Sequence, residues 1–275
     1  MTLRKLPEAK AFKRPQSYQP DAPAEALDKW HPRAAEADGD TISVYDVIGE
    51  DPWSGDGITA RRVAGALRAV GKKPVTVNVN SPGGDMFEGL AIYNLLREHP
   101  ERVTVRVMGL AASAASIIAM AGDRIEMGLG SMLMIHNSWG LVMGNQDDMR
   151  EAAETFAEFD AAMADIYAAR SGMDPEDIGA MMSAETWMRA ERALEAGFAD
   201  ATFDAPDYDD DASAMDQKKA RARLDATLAK SGMPRVERRA LLREAAGTPS
   251  AAGTATPSAG FDADAFARLM ETLKA

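Results

Sequence analysis

The chain has 275 residues, enough for one large or two small domains at about 150 residues each. Its 31 basic and 43 acidic side chains leave a net charge of −12, which argues against general affinity for phosphate backbones, a binding mode driven by Lys and Arg. With no cysteine anywhere, disulfides, thiolate-bound zinc, iron–sulfur clusters and a Cys nucleophile are excluded. No apolar run reaches the ~18 residues of a membrane span, and the basic start lacks the apolar core of a secretion signal. The expectation is a soluble cytoplasmic protein with neither membrane nor specific nucleic acid among its partners.

Residues 1–40 are rich in Pro, Ala, Lys and Glu with weak periodicity and read as an arm or linker. The next region, 41–203, opens with a strand at 42–48 and a helix at 59–70 that Thr59 caps and that places Val63, Ala66, Leu67 and Val70 on one face. A second strand, 75–79, ends in the turn Asn80-Ser81-Pro82-Gly83-Gly84. Asp85 and Glu88 then form a capping-box pattern for a helix carrying Phe87, Leu90, Ala91 and Leu95. A third strand at 103–108 leads through Gly109 to a small-residue helix at 113–121, and a fourth at 132–135 ends at His136. Between 145 and 170, Met149, Ala152, Phe156, Phe159, Met163 and Ile166 or Tyr167 recur at helical spacing. That helix either covers its own core or projects to meet a second subunit.

From Asp204 the character changes. Asp204, Asp207, Asp209, Asp210 and Asp211 form an acidic hinge with Pro206, and after it come a basic helical stretch at 217–246 and a flexible Pro/Ser/Thr/Gly/Ala linker at 247–260. Residues 261–275 place Phe266, Leu269, Met270 and Leu273 at helical spacing, in a helix too short to stand without a partner surface.

Strand and helix alternate through 41–203, which predicts an α/β core with a largely parallel sheet. Sites in such sheets form beyond the carboxyl ends of the strands, where Gly84, Ser113 and His136 fall. Ser113 opens a helix, so it is either an N-cap or a nucleophile beside free N–H groups that can hold an oxyanion; Ser116, one turn on, points elsewhere. A serine needs a base. His31 lies in the unpatterned arm and His99 precedes Pro100 in a helix-ending turn, which leaves His136, at the end of an apolar strand. A carboxylate must also orient the imidazole, and spacing does not choose among Asp123, Glu126, Asp174, Glu185 and Glu191. The Ser81-Pro82-Gly83-Gly84 turn suits a plain strand-to-helix connection. It also suits close approach of a substrate backbone, with the Gly84 N–H as oxyanion donor.

Together these residues resemble the proteolytic subunit of the Clp protease. Asn80-Ser81-Pro82-Gly83-Gly84, Gly109-Leu110-Ala111-Ala112-Ser113 and Met134-Ile135-His136 match in order and interval, and the segment from Arg189 to the Gly197-Phe198-Ala199-Asp200 end matches the family's closing helix. The resemblance implies the crotonase-like α/β fold of stacked ββα units, with the 145–170 helix as a protruding handle. It implies ring-shaped homo-oligomers that enclose the active sites. Ser113 would be the nucleophile, His136 the general base, and Gly84 and Ala114 the oxyanion donors, with Gly83 and Gly84 beside the substrate. The family's third member, an aspartate, falls on Glu185, a departure from the pattern. No metal, nucleotide or other cofactor is needed for this chemistry.

Residues 58–60, 84–94 and 185–187, and the extensions at 1–40 and 204–275, look most like the Clp-related head maturation proteases of tailed phages. Those enzymes act inside the assembling procapsid, in the host cytoplasm, on capsid or scaffold protein, and the C-terminal extension resembles a scaffold-like or capsid-docking segment. The alternatives are a cellular Clp-type subunit serving an ATP-driven unfoldase, which the long extensions disfavour, and an inactive assembly protein, which the Ser113–His136 pair disfavours.

Overall fold

Valines alternate with polar residues along 75–79 and 103–107, and this period of two builds the centre of a seven-stranded sheet. The computed structural model describes residues 39–50, 57–204 and 212–234, with 6–7, 12, 14–15, 18, 22–30, 237–238 and 240–242. His31, most of the acidic hinge, the 247–260 linker and the expected helix at 261–275 lie outside the described residues. The strands are β1 (Thr41–Val44), β2 (Val75–Ser81), β3 (Val103–Ala112), β4 (Arg124–Gly128), β5 (Met132–Ile135), β6 (Thr186–Arg189) and β7 (Ala201–Phe203). The helices are α1 (Ala24–Lys29), α2 (Ala60–Val70), α3 (Met86–Arg97), α4 (Ala114–Met120), α5 (Gln146–Ser171), α6 (Pro175–Ser183), α7 (Ala190–Glu195) and α8 (Ala212–Lys230).

The sheet runs β1-β2-β3-β4-β7, all parallel as the alternation predicts, although β4, β6 and β7 were not among the expected strands. β3 is longer than expected and serves two neighbours: its first half pairs with β4, and Leu110–Ala112 pairs with β5, which in turn takes β6 antiparallel. Between those halves the β2–β3 register shifts, and the Asn80 Oδ1 accepts the Leu110 N–H at 3.2 Å, so the irregular backbone is satisfied by a side chain. The first strand is shorter than expected. It ends at Val44, and Ile48 returns only as single bridges to Ile58 and Gly84.

Helix ends follow the caps expected at Thr59 and Asp85 with one change, and α5 adds a cap not expected from sequence. Thr59 caps α2, and Asn145 and Asp148 form a full capping box on α5. At α3, Asp85 accepts the N–H groups of Phe87 and Glu88, but Glu88 does not reach back; its carboxylate accepts the Ala60 N–H at 2.7 Å and caps α2 instead. The Gly-x-x-Asp end also acquires a physical role. A Cβ on Gly197, at φ +79°, would lie 2.5 Å from the Ser171 carbonyl oxygen. Asp200 Oδ2 accepts the Ile125 N–H at 2.7 Å and pairs with the buried Arg170 at 2.5 Å, locking α5 and β4 together.

The described parts of both extensions pack on the core. Phe12 packs at a tilt on Phe159 with centroids 4.3 Å apart, and Tyr18 sets its edge to Phe87 at 5.2 Å. Arg14 lies over Phe87 and pairs with Asp85 at 2.6 Å. On the other side of the sheet, α1 and α8 pack on each other, and Leu27, Trp30 and Ala226 bury Leu110, Ala112 and Met134. Trp30 is fully buried and donates its indole N–H to the Asn80 carbonyl at 3.0 Å. The basic helix begins earlier than expected and stops at Lys230, with Gly232 at φ +81° just beyond it. Among the described residues no helix is long and apolar enough to cross a membrane.

Candidate active site

Three parallel strands end side by side, and the residues just beyond their ends meet. After β2 comes the Pro82-Gly83-Gly84 turn, after β3 Ser113, and after β5 His136. Ala112 is in register with Met134, and the Ser113 N–H donates to the Met134 carbonyl at 3.0 Å, so the serine is tied by its backbone to the histidine's strand. His136 Nε2 lies 2.7 Å from Ser113 Oγ.

Ser113 sits at φ +55°, ψ −128°, a conformation rarely adopted outside glycine. It occupies the N-cap position of α4, yet its side chain makes no cap bond there and turns to His136 instead. Two supports hold it. Gly83 passes so close that a Cβ there would lie 2.5 Å from the Ser113 Cβ and 2.6 Å from the Ala112 carbonyl oxygen. From the other side, the Tyr167 hydroxyl on α5 donates to Ser116 Oγ at 2.7 Å, and Ser116 Oγ donates to the Ser113 carbonyl at 2.6 Å. Ser116 is therefore a buried brace, and burial pushes the Tyr167 hydroxyl further above the usual phenol range.

Gly84, at φ +142°, adopts a backbone open to glycine; a Cβ would lie 2.2 Å from the Ile48 carbonyl oxygen. Its bridge to Ile48 uses the Gly83 carbonyl and the Asp85 N–H, which turns the N–H of Gly84 itself to the opposite side. An open cleft lies there, bounded by Gly84, Ser113, Ala114 and His136 on the reactive side. Met86, Leu90, Ile117, Phe159 and Met163 form its apolar wall. Burial pushes the His136 imidazole down to about 4, and the Asp160 carboxylate opposes that shift.

The other residues singled out by sequence have plain structural partners. His99 Nε2 lies 2.8 Å from the Lys73 carbonyl oxygen. Asp123 pairs with Arg97 at 2.9 Å and accepts the Val103 N–H at 2.9 Å. Glu126 pairs with Arg124 and Arg106, Asp174 caps α6, and Glu191 is exposed in the first turn of α7. Glu185 stands in the turn before β6 at φ +49°. The β5–β6 ladder, whose last pair is Ile135 with Thr186, sets it one step further along against His136. Its carboxylate is exposed, with no hydrogen bond or ion pair among the described residues.

Sequence reading missed Asp160. It shares a face of α5 with Phe156, Met163 and Tyr167, at spacings of four, three and four. An acid on the inward stripe of an amphipathic helix was the available signal.

A parallel α/β sheet with a Ser–His pair at its carboxyl edge defines the class. The sequence profile of the Clp protease family matches residues 60–205, more than half of the chain, and the chain belongs to that family. It is 34% identical over 131 residues to the ATP-dependent Clp protease proteolytic subunit of Ligilactobacillus salivarius, covering 47% of this chain and 66% of that one. To the corresponding subunit of Deinococcus radiodurans it is 30% identical over 135 residues, covering 48% and 66%. The chain thus spans just under two thirds of these relatives' length. A mutant of ClpP1 from Listeria monocytogenes shares the fold, with a TM-score of 0.52 at 21% identity over 60% of this chain and 92% of that one.

Proposed function

We propose that this chain is a serine endopeptidase in which Ser113 is the nucleophile and His136 the general base. The observation that carries the reading is the 2.7 Å contact between Ser113 Oγ and His136 Nε2 at the mouth of an apolar cleft. His136 takes the hydroxyl proton as Oγ attacks a peptide carbonyl. The N–H groups of Gly84 and of Ala114, first residue of α4, hold the resulting oxyanion, since the Ser113 N–H is engaged by Met134. His136 then protonates the leaving amine, and water repeats the sequence on the acyl-enzyme. The wall of Met86, Leu90, Ile117, Phe159 and Met163 suits an apolar side chain next to the scissile bond. Family membership supports a ring-shaped assembly.

The biological setting we propose is phage head maturation, with capsid or scaffold protein as substrate. The motif-flanking segments and the extensions beyond the 60–205 match support it. A second reading, a cellular subunit serving an unfoldase, is favoured by the names of the two relatives.

The test is cleavage of co-purified or co-expressed capsid and scaffold protein, with mass spectrometry of the fragments. Ser113→Ala and His136→Ala are expected to lower kcat by about 10⁴–10⁶ while leaving the far-UV circular dichroism unchanged. Cleavage by either variant at the wild-type rate would overturn the assignment. Degradation that requires an unfoldase and ATP would select the cellular reading.

A further inference from the structure

We propose that Asp160, on the long helix α5, is the carboxylate that positions His136 and supports its charged form, in the place the family pattern gives to Glu185. The proposal rests on the peptidase reading of Ser113 and His136.

The backbone after the histidine is anchored to α5. Asp160 Oδ1 accepts the Ser138 N–H at 2.5 Å, and the Ser138 hydroxyl donates to the Phe156 carbonyl at 3.2 Å. Two bonds to α5 therefore fix the chain two residues past His136. In the same stretch of helix, Phe159 and Met163 line the cleft that holds the imidazole. Asp160 is half-buried, so its charge acts through protein rather than through water. Its Oδ2 and the His136 Nδ1 each lack a hydrogen-bond partner among the described residues.

Other charged groups stand on the elements around the ring. Asp85, at the start of α3, is ion-paired with Arg14. Lys29, on α1, lies over the Trp187 ring of β6 with its Nζ 4.0 Å from the centroid. Glu158, beside Asp160 on α5, is exposed, and so is Glu185, where solvent screens the charge. Asp160 is the carboxylate both tied to the histidine's own segment and sheltered from water. Its charge also opposes the effect of burial and raises the proton affinity of the imidazole.

The experiment measures the rate at which a fluorophosphonate labels Ser113 in the full chain across pH. Asp160→Asn keeps an acceptor for the Ser138 N–H and removes the charge. It is expected to lower the plateau rate by about 10²-fold or more and to move the acid limb to lower pH. Asp160→Glu, which keeps the charge, is expected to recover at least about a tenth of the wild-type rate, and Glu185→Gln to stay within about threefold of it with an unmoved limb. A wild-type profile in Asp160→Asn would overturn the proposal. So would the large loss and shifted limb appearing in Glu185→Gln instead, a comparison that holds even if Asp160→Asn does not fold. Wild-type protein that labels no faster than Ser113→Ala would show a different failure, that of the peptidase reading itself.

Discussion

Burial keeps the His136 imidazole neutral down to about pH 4, where an unperturbed histidine would take up a proton near 6.5. Neutrality is the state a general base needs, so the role proposed for His136 is open to it throughout the physiological range. The same burial has a thermodynamic consequence. Between pH 6.5 and 4 the unfolded chain binds a proton at this position that the folded chain refuses, so stability falls as pH drops through that window and levels off below it. Urea unfolding at pH 7 and at pH 4.5 is expected to show His136→Gln losing about 2–3 kcal/mol less than wild type between the two conditions. Equal losses would mean that the folded protein admits the proton. The meeting of Ser113 with His136 was legible at this scale, because both fall just past strand ends and the other two histidines do not. The carboxylate proposed to position the ring was not. Acidic residues are common here, and only packing shows that Asp123, Glu126 and Asp174 hold backbone or arginines elsewhere, while Asp160 holds the backbone that follows His136.

At the level of elements, the site depends on glycine where two turns converge. Gly83 presses against Ser113 and Gly84 against Ile48, both at positive φ. Gly84→Ala puts a methyl group against backbone and strains φ. It is expected to cost more than about 1 kcal/mol in stability and to slow Ser113 labelling by about 10²-fold or more as the N–H swings out of the cleft. Labelling at the wild-type rate would remove Gly84 from the oxyanion site. The arm and the C-terminal helix meet under the same strand ends, with Trp30 fully buried on Asn80, Leu110 and Met134. Trp30→Ala is expected to destabilise the chain by about 3–5 kcal/mol in urea unfolding. A loss below about 1 kcal/mol would mean that the segment is a loosely attached cover. Sequence pattern reads 1–40 as an arm because its anchors, Phe12, Tyr18 and Trp30, are spaced without the period of a helix or strand. Their partners are tens of residues away.

For the whole molecule, the proposed ring gives one further expectation: native mass spectrometry at micromolar concentration should return a mass several times that of the chain, and a monomer alone would count against it. The alternation of strand and helix, the capping residues at Thr59 and Asp85, and the three strand-end motifs were determined by the sequence itself, because each is a local rule acting over a few residues. Tertiary structure alone decided that β3 divides its two halves between β4 and β5, that Glu88 caps a neighbouring helix, and that Tyr167 braces Ser113 through Ser116. It alone set the half-buried Asp160 against the backbone that follows His136. Those outcomes depend on which side chains meet across large separations in the chain, and no periodicity along it encodes such meetings.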